Sequence, residues 1–468
     1  MRLGVKELLF FLCSIPRPSC MAYHSIMLSG LTIKKRALEL GFDLAGIAPL
    51  DVWKDLEFSR QWVEKGFNGK MRYLENPKRF DPLLILPSAK SVICVGLLYN
   101  APLPYSTEVA GAKRSQEPGV RNQELESRRQ KAEGSQFQNS VELPFSNFHF
   151  PASRFASRAW ISRYAWGHDY HEVIRAKLER LRKAIKESAP EAETRVFVDT
   201  GPVIERAFAR FSGVGWMGKN TCIINQEKGS WFFLGVILCS LELAPDVPAP
   251  DRCGSCTACL EACPTRALVE PYAMDASRCI SYLTIELRGS IPTEFRAKVG
   301  SNVFGCDICQ DVCPWNSTRQ SSAFSYQQTP SQQERPFDTR GLTRPATTTV
   351  EGFEPMIVEP THPGSSGEAT SDPQATDDGR RTPDSSSFSL FNPPLEALAA
   401  MSEEDFHRIF AHSPIKRAKY HGWLRNLVLA MGNSGDVRFV PWLERIAQHP
   451  NPIVREHAAW ALDRLRGG

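Results

Sequence analysis

Apolar positions between residues 33 and 240 follow helical and strand spacing in turn. Ile33, Ala37 and Leu40 share one face of a helix that is predicted to end near Gly41. Apolar runs predict four strands, namely FDLAGIAP (42–49), SVICVGLLY (91–99), RVFVDTGP (195–202), which ends in a turn, and WFFLGVILC (231–239). A surface helix with apolar residues on one face is predicted after GHDYH (167–171). This succession indicates an α/β or α+β domain, and we expect the α+β class.

Two polar stretches divide the chain. Residues 104–150 lose the apolar periodicity and are predicted to be a flexible insertion. Residues 317–390 contain 31 Ser, Thr or Pro among 74 positions, so we expect a disordered linker. The tail returns to helical spacing, and NPIVREHAAWALDRLRG (451–467) resembles one helix of a HEAT-type pair. The expected divisions are a leader of doubtful status (1–26), a core (27–245), a cysteine module (246–316), the linker (317–390) and a HEAT-like helical domain (391–468).

Composition and charge narrow the class of protein. The 468 residues are 42% hydrophobic and 23% charged, which suits a chain with a substantial core. A net charge of +4 excludes a histone-like polycation, although a local basic patch remains compatible with it. No apolar run reaches the roughly 18 residues that a membrane span needs. Residues 1–20 imitate a signal peptide only loosely, and we interpret them as an extension upstream of a start at Met21 or Met27.

Cysteine spacing gives the strongest chemical signal. Eight of the 13 cysteines lie in one short region, with two C-x2-C-x3-C-P endings. In two-cluster ferredoxins the last cysteine of such a run binds the other cluster. Applied crosswise, that rule predicts two 4Fe–4S clusters, one held by Cys253, Cys256, Cys259 and Cys313 and the other by Cys263, Cys279, Cys306 and Cys309. Zinc is the alternative, but a zinc ribbon does not explain eight cysteines or the Cys-Pro endings.

Three further features have competing interpretations. The letters GVGWMG (213–218) match a dinucleotide fingerprint, but a helix is predicted before them and a strand after them, so only a loop that lets a ligand approach the backbone is expected. Asp199, at the end of a strand, could exchange protons in a cleft or cap the following helix. His168 and His171 make a poor metal motif, and Asp169 is expected to cap a helix.

Residues 406–425 carry five Lys or Arg and no acidic residue, interleaved with aromatic side chains. Basic and aromatic groups together suit phosphates and unstacked bases. A solvated helix face beside a core helix explains the same pattern equally well.

Taken together, the motifs resemble those of epoxyqueuosine reductases. The resemblance rests on RYAWGHDYH, VDTGP, GWMGKNT, CGSCTACLEACPTRAL, RCISYLTIELRG and FGCDICQDVCPWN, in this order. It implies a cytoplasmic enzyme that uses cobalamin and two 4Fe–4S clusters to remove the epoxide oxygen of epoxyqueuosine in a tRNA anticodon loop. It also implies a core related to nitroreductases, a ferredoxin-like module and HEAT-like helices that help to hold tRNA. We expect a monomer that takes electrons from an external donor and has no membrane partner.

The resemblance also implies roles for individual residues. Asp199 corresponds to the family's proton donor, and the crosswise cysteine sets correspond to its cluster ligands. Burial beside the corrin is expected to raise the pKa of Asp199, because desolvation disfavours a carboxylate. Besides Asp199, the residues expected around the cobalamin are Arg79, Ser162, Asn220, Ile223, Ser281 and Asp307.

Two other functions use similar parts. A corrinoid reductive dehalogenase also combines cobalamin with two clusters, but such proteins carry a twin-arginine signal, and residues 1–20 contain no Arg-Arg pair. A non-catalytic electron carrier would need neither the VDTGP turn nor a corrin pocket.

Overall fold

The computed structural model describes residues 28–109, 157–316, 347–350, 352–358 and 387–467. Its main sheet is antiparallel throughout, with strand order β1-β2-β7-β4. The strands are β1 (Leu44–Pro49), β2 (Ser91–Leu98), β3 (Trp160–Ile161), β4 (Thr194–Phe197), β5 (Trp216–Met217), β6 (Ile223–Ile224), β7 (Phe232–Cys239), β8 (Leu268–Glu270), β9 (Ala273–Met274), β10 (Asn302–Phe304), β11 (Ile357–Val358) and β12 (Phe388–Ser389). An antiparallel sheet flanked by helices matches the α+β class that the sequence predicts.

Helices cover both faces of this sheet, which explains why every residue of β2 is buried. Ile93, Val95 and Leu97 face a core shared with α1 and α3, whereas Val92 and Cys94 face α2 and α4. The alternation follows from the two-residue period of a strand. These helices are α1 (Gly30–Glu39), α2 (Trp53–Glu64), α3 (Tyr170–Ser188) and α4 (Glu205–Phe211).

The cysteine module is built from short elements that join the sheet domain through one pair of strands. Strand β10 of the cysteine module pairs in parallel with β3, so the module and the N-terminal domain share this two-stranded sheet. Its helices are α5 (Ala258–Ala262), α6 (Ile280–Ile285), α7 (Thr293–Val299) and α8 (Ile308–Asp311).

The C-terminal helices pack against the cysteine module. The guanidinium of Arg425, which is 1% exposed, donates to the carbonyl oxygens of Leu283, Leu287 and Gly289. Asn426 donates to the carbonyl oxygens at residues 284 and 303. The tail therefore closes the end of the module. Its helices are α9 (Leu395–Ala399), α10 (Glu403–Ile409), α11 (Tyr420–Ser434), α12 (Val440–Ile446) and α13 (Pro452–Arg466).

Part of the predicted linker is ordered. Strands β11 and β12 pair, and the backbone N–H of Met356 donates to the carbonyl oxygen of Trp166 over 2.9 Å. Phe353 is buried in the core beside the main sheet. The prediction of disorder is therefore wrong for residues 347–350, 352–358 and 387–390, because apolar side chains in these short segments pack against the core. The rest of 317–390 lies outside the described residues.

The predicted insertion also begins later than expected. The hydroxyl of Tyr105 donates to the carbonyl oxygen of Asn316 over 2.7 Å, and the backbone N–H of Ser106 donates to Asp311 over 2.9 Å. Residues 104–109 thus belong to the folded core, and 110–150 lie outside the described residues, as do 1–27. Among the described residues, no helix combines the length and the apolar character that crossing a bilayer requires.

Candidate functional site

Asp199 lies in a tight turn immediately after β4. Its φ of 52° is in the left-handed region, which is unusual for a residue other than glycine. The guanidinium of Arg79 donates to the carbonyl oxygen of Gly201 over 2.7 Å and fixes the far side of this turn. Helix α4 has Ile204 at its N-cap, so the helix-capping interpretation of Asp199 is wrong. Strained turns of this kind are frequent at functional sites.

The start of α3 supplies the partners of the Asp199 carboxylate. The hydroxyl of Tyr170 donates to Oδ2 over 2.7 Å, and Nε2 of His171 lies 3.3 Å from the same oxygen. On its other side, Nδ1 of His171 lies 2.7 Å from Oδ1 of Asp169. Asp169 also caps α3, as predicted, and its Oδ2 lies 2.9 Å from Nζ of Lys416. The imidazole of His171 is thereby held between two carboxylates.

This arrangement keeps the imidazole and the carboxylate charged. Burial alone would raise the pKa of Asp199, but His171 and the hydroxyl of Tyr170 outweigh it and lower the pKa to about 2. Burial alone would lower the pKa of His171, but Asp169 and Asp199 raise it to about 9. The protein's own groups therefore lower the pKa of Asp199, and the upward shift expected for burial beside a corrin stays a prediction.

Glu205 is a second carboxyl group next to the Asp199 turn. It is 8% exposed, and its Oε1 atom has no hydrogen-bond partner. Burial, followed by the charge of Asp199, raises the pKa of Glu205 to about 7. Glu205 therefore holds a proton more readily than Asp199, as expected for two carboxyl groups in one region.

Asp199 remains accessible, because 59% of its side-chain surface is exposed. The charges of Asp199, Arg79 and Arg417 all act on the hydroxyl of Tyr73, so these side chains lie near one ring. The guanidinium of Arg417 lies 5.6 Å from the ring centre of Tyr73 and is paired with Glu286. A ligand could therefore reach the carboxylate past aromatic and cationic side chains.

Only some side chains of the basic segment 406–425 are exposed to solvent. Phe406, Phe410 and Trp423 are buried core residues, so they cannot stack on bases. Lys416 and Lys419 are exposed, and Nζ of Lys416 contacts Asp169, the carboxylate that adjoins His171. These aromatic residues thus follow the core-helix explanation, whereas the basic residues are divided, because Lys416 and Lys419 lie at the surface and Arg425 is buried.

The eight cysteines fall into two adjoining groups, all with free thiols. Cys313 and Cys253 pack on the same side chains, Trp216 and Ile224, and Cys313 is also within electrostatic reach of Cys259. Cys259 is in turn within reach of Cys253 and Cys256. These four are the cysteines that the crosswise rule assigns to one cluster.

The second group is assembled in the same way. Cys279 and Cys306 pack beside one core, Cys279 is within electrostatic reach of Cys263, and Cys309 is within reach of both Cys279 and Cys306. The charge of Cys259 also acts on the thiol of Cys309, so the two cysteine groups are neighbours. Among the described residues, no three Cys, His, Asp or Glu side chains are grouped to hold a metal ion directly.

The other residues expected near a corrin lie mostly between the sheet domain and the second cysteine group. Ser162 donates to Oδ1 of Asp307 over 2.5 Å, and Asn220 donates to the carbonyl oxygen of Cys309 over 3.2 Å. The backbone and the hydroxyl of Ser281 both interact with the thiol of Cys279. Ile223 is buried on β6. Arg79 stands apart from these, beside Asp199.

Sequence reasoning missed three residues of this region, namely Tyr170, Glu205 and Arg417. His171 was considered only as a metal ligand. Its position two residues after a helix-capping Asp169 was a usable signal, because the first turn of a helix holds such side chains close together. The contact of Arg417 with Glu286 had no local signal, since 131 residues separate them.

Comparisons with known proteins agree with this geometry. Residues 252–316 match the model of the 4Fe-4S double cluster binding domain, and residues 140–200 match that of epoxyqueuosine reductase QueG. The chain is 34% identical to the epoxyqueuosine reductase of Pseudomonas aeruginosa, covering 92% of this chain and 93% of that protein. It is 32% identical to that of Escherichia coli, covering 92% and 88%.

Solved structures of the same enzyme share the fold. One contains an epoxyqueuosine-modified tRNA-Tyr stem loop and aligns with a TM-score of 0.62 at 27% identity, covering 92% of this chain and 89% of that one. Another, from Bacillus subtilis, has its catalytic aspartate loop swung out of the active site and aligns with the same score and coverage. The chain therefore belongs to the epoxyqueuosine reductase family of oxidoreductases.

Proposed function

We propose that this chain reduces epoxyqueuosine to queuosine in the anticodon loop of tRNA, with electrons from two 4Fe–4S clusters, a cobalamin cofactor, and Asp199 as the proton donor. Conversion of an epoxide to an alkene with release of water takes two electrons and two protons. The observation that carries the proposal is the accessible Asp199 carboxylate beside a protonated His171. Arg417, whose charge acts on Asp199, is paired with Glu286 directly after helix α6, and α6 begins directly after Cys279.

We propose the crosswise cysteine sets as cluster ligands. The packing of Cys253 with Cys313, and the electrostatic contact of Cys263 with Cys279, support this assignment over one that keeps each sequence run together. Cys313→Ser and Cys253→Ser are expected to abolish the same spectroscopic signal, that of the first cluster. Cys263→Ser is expected to abolish the signal of the second cluster.

Cobalamin, when bound, supplies a reduced cobalt centre that can react with the substrate carbon or oxygen. The residues present fit such a group in two ways. Asp199 offers an exposed carboxylate on one side, and Ser281 and Asn220 lie beside the second cysteine group on the other. The hydroxyl of Ser162 donates to the carboxylate of Asp307, so we propose that these two residues hold the sheet domain against the cysteine module.

The chain's own residues account for handling of the proton. In the free protein the proton is held on His171, because the pKa of the imidazole is about 9 and that of Asp199 is about 2. Asp199, at 3.3 Å, is the group exposed to substrate. We propose that Asp199 takes the proton from His171 and passes it to the leaving oxygen, and that the second proton needed to form water comes from solvent.

Exposed basic residues support tRNA binding at the same opening. Lys416 and Lys419 lie on the segment that also carries Arg417, next to Asp199. With the aromatic residues of this segment buried, binding rests on phosphate contacts, and affinity should fall as salt rises. Lys419→Met should weaken stem-loop binding and reduce its salt dependence by about one released ion.

The remaining assignments follow from family membership. We propose a nitroreductase-like core within 27–245, a two-cluster ferredoxin-like module at 246–316 and a HEAT-like tail at 391–468. The packing of α11 against α13, where Gly432 meets Ala461, supports a paired-helix tail. We further propose a cytoplasmic monomer that receives electrons from an external donor.

Anaerobic reconstitution followed by metal analysis tests the cofactors. About eight irons and one cobalt per chain are expected, with conversion of epoxyqueuosine in a tRNA stem loop under reducing conditions. Zinc in place of iron would overturn the proposal. Retention of iron without cobalt would remove cobalamin from it.

A further inference from the structure

The glycine-rich loop at residues 213–222 lies against the cysteine module. A Cβ atom at Gly215 would collide with the carbonyl oxygen of Ile224, and one at Gly218 would lie 2.5 Å from the Ile224 side chain. The glycines therefore allow the loop to pack tightly on strand β6. This packing directs Lys219 and Asn220, which follow Gly218, towards the two cysteine groups.

Lys219 contacts the turn that carries the first two cysteines of the chain's first cysteine run. Its Nζ donates to the carbonyl oxygens of Gly254 over 2.6 Å and Cys256 over 2.9 Å. Its backbone N–H interacts with the thiol of Cys253. Its own carbonyl oxygen accepts a hydrogen bond from the backbone N–H of Tyr272 over 3.1 Å. One residue thus joins the sheet domain to both ends of the Cys253–Cys256 turn.

The neighbours of Lys219 complete this contact. Asn220, which is buried, donates to the carbonyl oxygen of Cys309, a member of the other cysteine group. Trp216 packs against Cys253 and Cys313 and lies edge-on to Trp315, with ring centres 5.0 Å apart. Along the loop, the first group is therefore contacted by a cation and the second by a neutral amide.

We propose that Lys219 is a positioning residue that seats the Cys253–Cys256 turn and raises the reduction potential of the cluster held by Cys253, Cys256, Cys259 and Cys313 relative to the other cluster. This inference rests on the cluster ligands proposed above. Reduction adds one negative charge to a cluster, and a fixed positive charge nearby stabilises the reduced form. Net charge and hydrogen bonding around the thiolates are established determinants of cluster potential. Because Nζ is bonded within one cysteine turn, its charge lies nearer to that cluster and acts mainly on it.

The test is a redox titration of the reconstituted full-length protein, followed by electron paramagnetic resonance. Lys219→Met removes the charge and retains the length of the side chain. The equilibrium constant for reducing one cluster is expected to fall about tenfold, which is about 59 mV for a one-electron couple. The signal of the other cluster should keep its midpoint. Lys219→Arg, which keeps the charge, should restore most of the difference.

Lys183→Met is the matched control. Lys183 is an exposed residue of α3, so its replacement changes the net charge equally at a site outside the cysteine module. Selective loss of the first cluster in Lys219→Met, with about half the iron retained, would also support the proposal. In that case the Cys253–Cys256 turn would have lost the two hydrogen bonds that Lys219 donates to it. Unchanged potentials, or equal shifts of both clusters, would overturn it. A wild-type protein without two clusters would instead overturn the proposed ligand sets.

Discussion

Nε2 of His171 lies 3.3 Å from Oδ2 of Asp199, and this contact determines where the proton of the site is held. The two residues come from different elements, the first turn of α3 and the end of β4. Without the imidazole, the carboxyl group at residue 199 would lose the neighbour that lowers its pKa most. With it, the carboxylate is ionised and the proton is on the neighbouring ring. The two residues therefore act as one proton-holding unit.

Asp199→Asn should abolish most turnover while leaving the cofactors in place. The amide keeps the shape of the side chain and can still accept a hydrogen bond from Tyr170, but it cannot carry the transferred proton. A loss of about 10²–10⁴-fold in kcat is expected for removal of an acid catalyst. Iron and cobalt content should equal those of the wild type. Activity close to wild type would exclude Asp199 as the donor.

His171→Gln should change the dependence of activity on pH. The pKa of His171 is raised to about 9, so the wild type should lose kcat/KM as pH rises through that value and the imidazole releases its proton. In the variant this alkaline limb should disappear, and activity should be low throughout. His168→Gln, three residues away on an exposed side chain, is the control and should keep the limb.

The same pair links folding stability to pH. The pKa of His171 is about 9 in the folded protein and 6.5 in an unfolded chain, so its stabilising contribution is complete below about pH 6.5 and is lost as pH rises through 9. Thermal unfolding of wild type should therefore show a loss between these values that His171→Gln lacks. Equal losses in the two proteins would contradict the assigned pKa.

Periodicity predicted the regular elements because burial repeats along one helix or strand. β2 was predicted at 91–99 and is Ser91–Leu98, and the helix predicted to end near Gly41 is Gly30–Glu39. The crosswise cysteine sets stay a prediction, which the packing of Cys253 and Cys313 beside the same core supports. The contact of His171 with Asp199 could not be predicted, since it depends on β4 pairing with β7 rather than on spacing.

Composition averaged over a long stretch concealed ordered segments. Residues 317–390 are rich in Ser, Thr and Pro, yet Phe353 and Val358 are buried. A few apolar side chains in a polar stretch are enough to dock a short segment when a core position is vacant for them. The run of basic residues at 406–425 likewise suggests an exposed surface, yet Arg425 within it is buried.

Phe353→Ala should destabilise the protein although it lies within the predicted linker. Its ring is 3% exposed and packs in the core shared by α1, α3 and β2, with Phe233 at 5.3 Å between ring centres. Removing a buried phenylalanine ring costs about 3–5 kcal/mol of unfolding free energy. Ile357→Ala, at a residue 56% exposed in the same segment, should cost less than about 0.5 kcal/mol. Denaturant unfolding of the two variants measures the difference.

Arg425→Met should uncouple the C-terminal helices from the cysteine module. The side chain is 1% exposed, and three carbonyl oxygens, those of Leu283, Leu287 and Gly289, would lose their donor. Each buried acceptor left unsatisfied costs about 1–3 kcal/mol. Because Leu283 lies on α6, directly after Cys279, the second cluster should become labile as well as the fold.

Arg464→Met provides the comparison, since Arg464 is exposed on α13 and only overlies Trp460 at 5.6 Å. Its loss should cost no more than about 1 kcal/mol. The measurement is iron release during mild denaturant titration, followed alongside far-ultraviolet circular dichroism. In Arg425→Met, about half the iron is expected to be released before the main unfolding transition. Helix α6 would lose its hydrogen bonds to the C-terminal helices, whereas the contacts of the first cysteine group would be unchanged. Release of all the iron together would contradict a specific role for Arg425 at the second group.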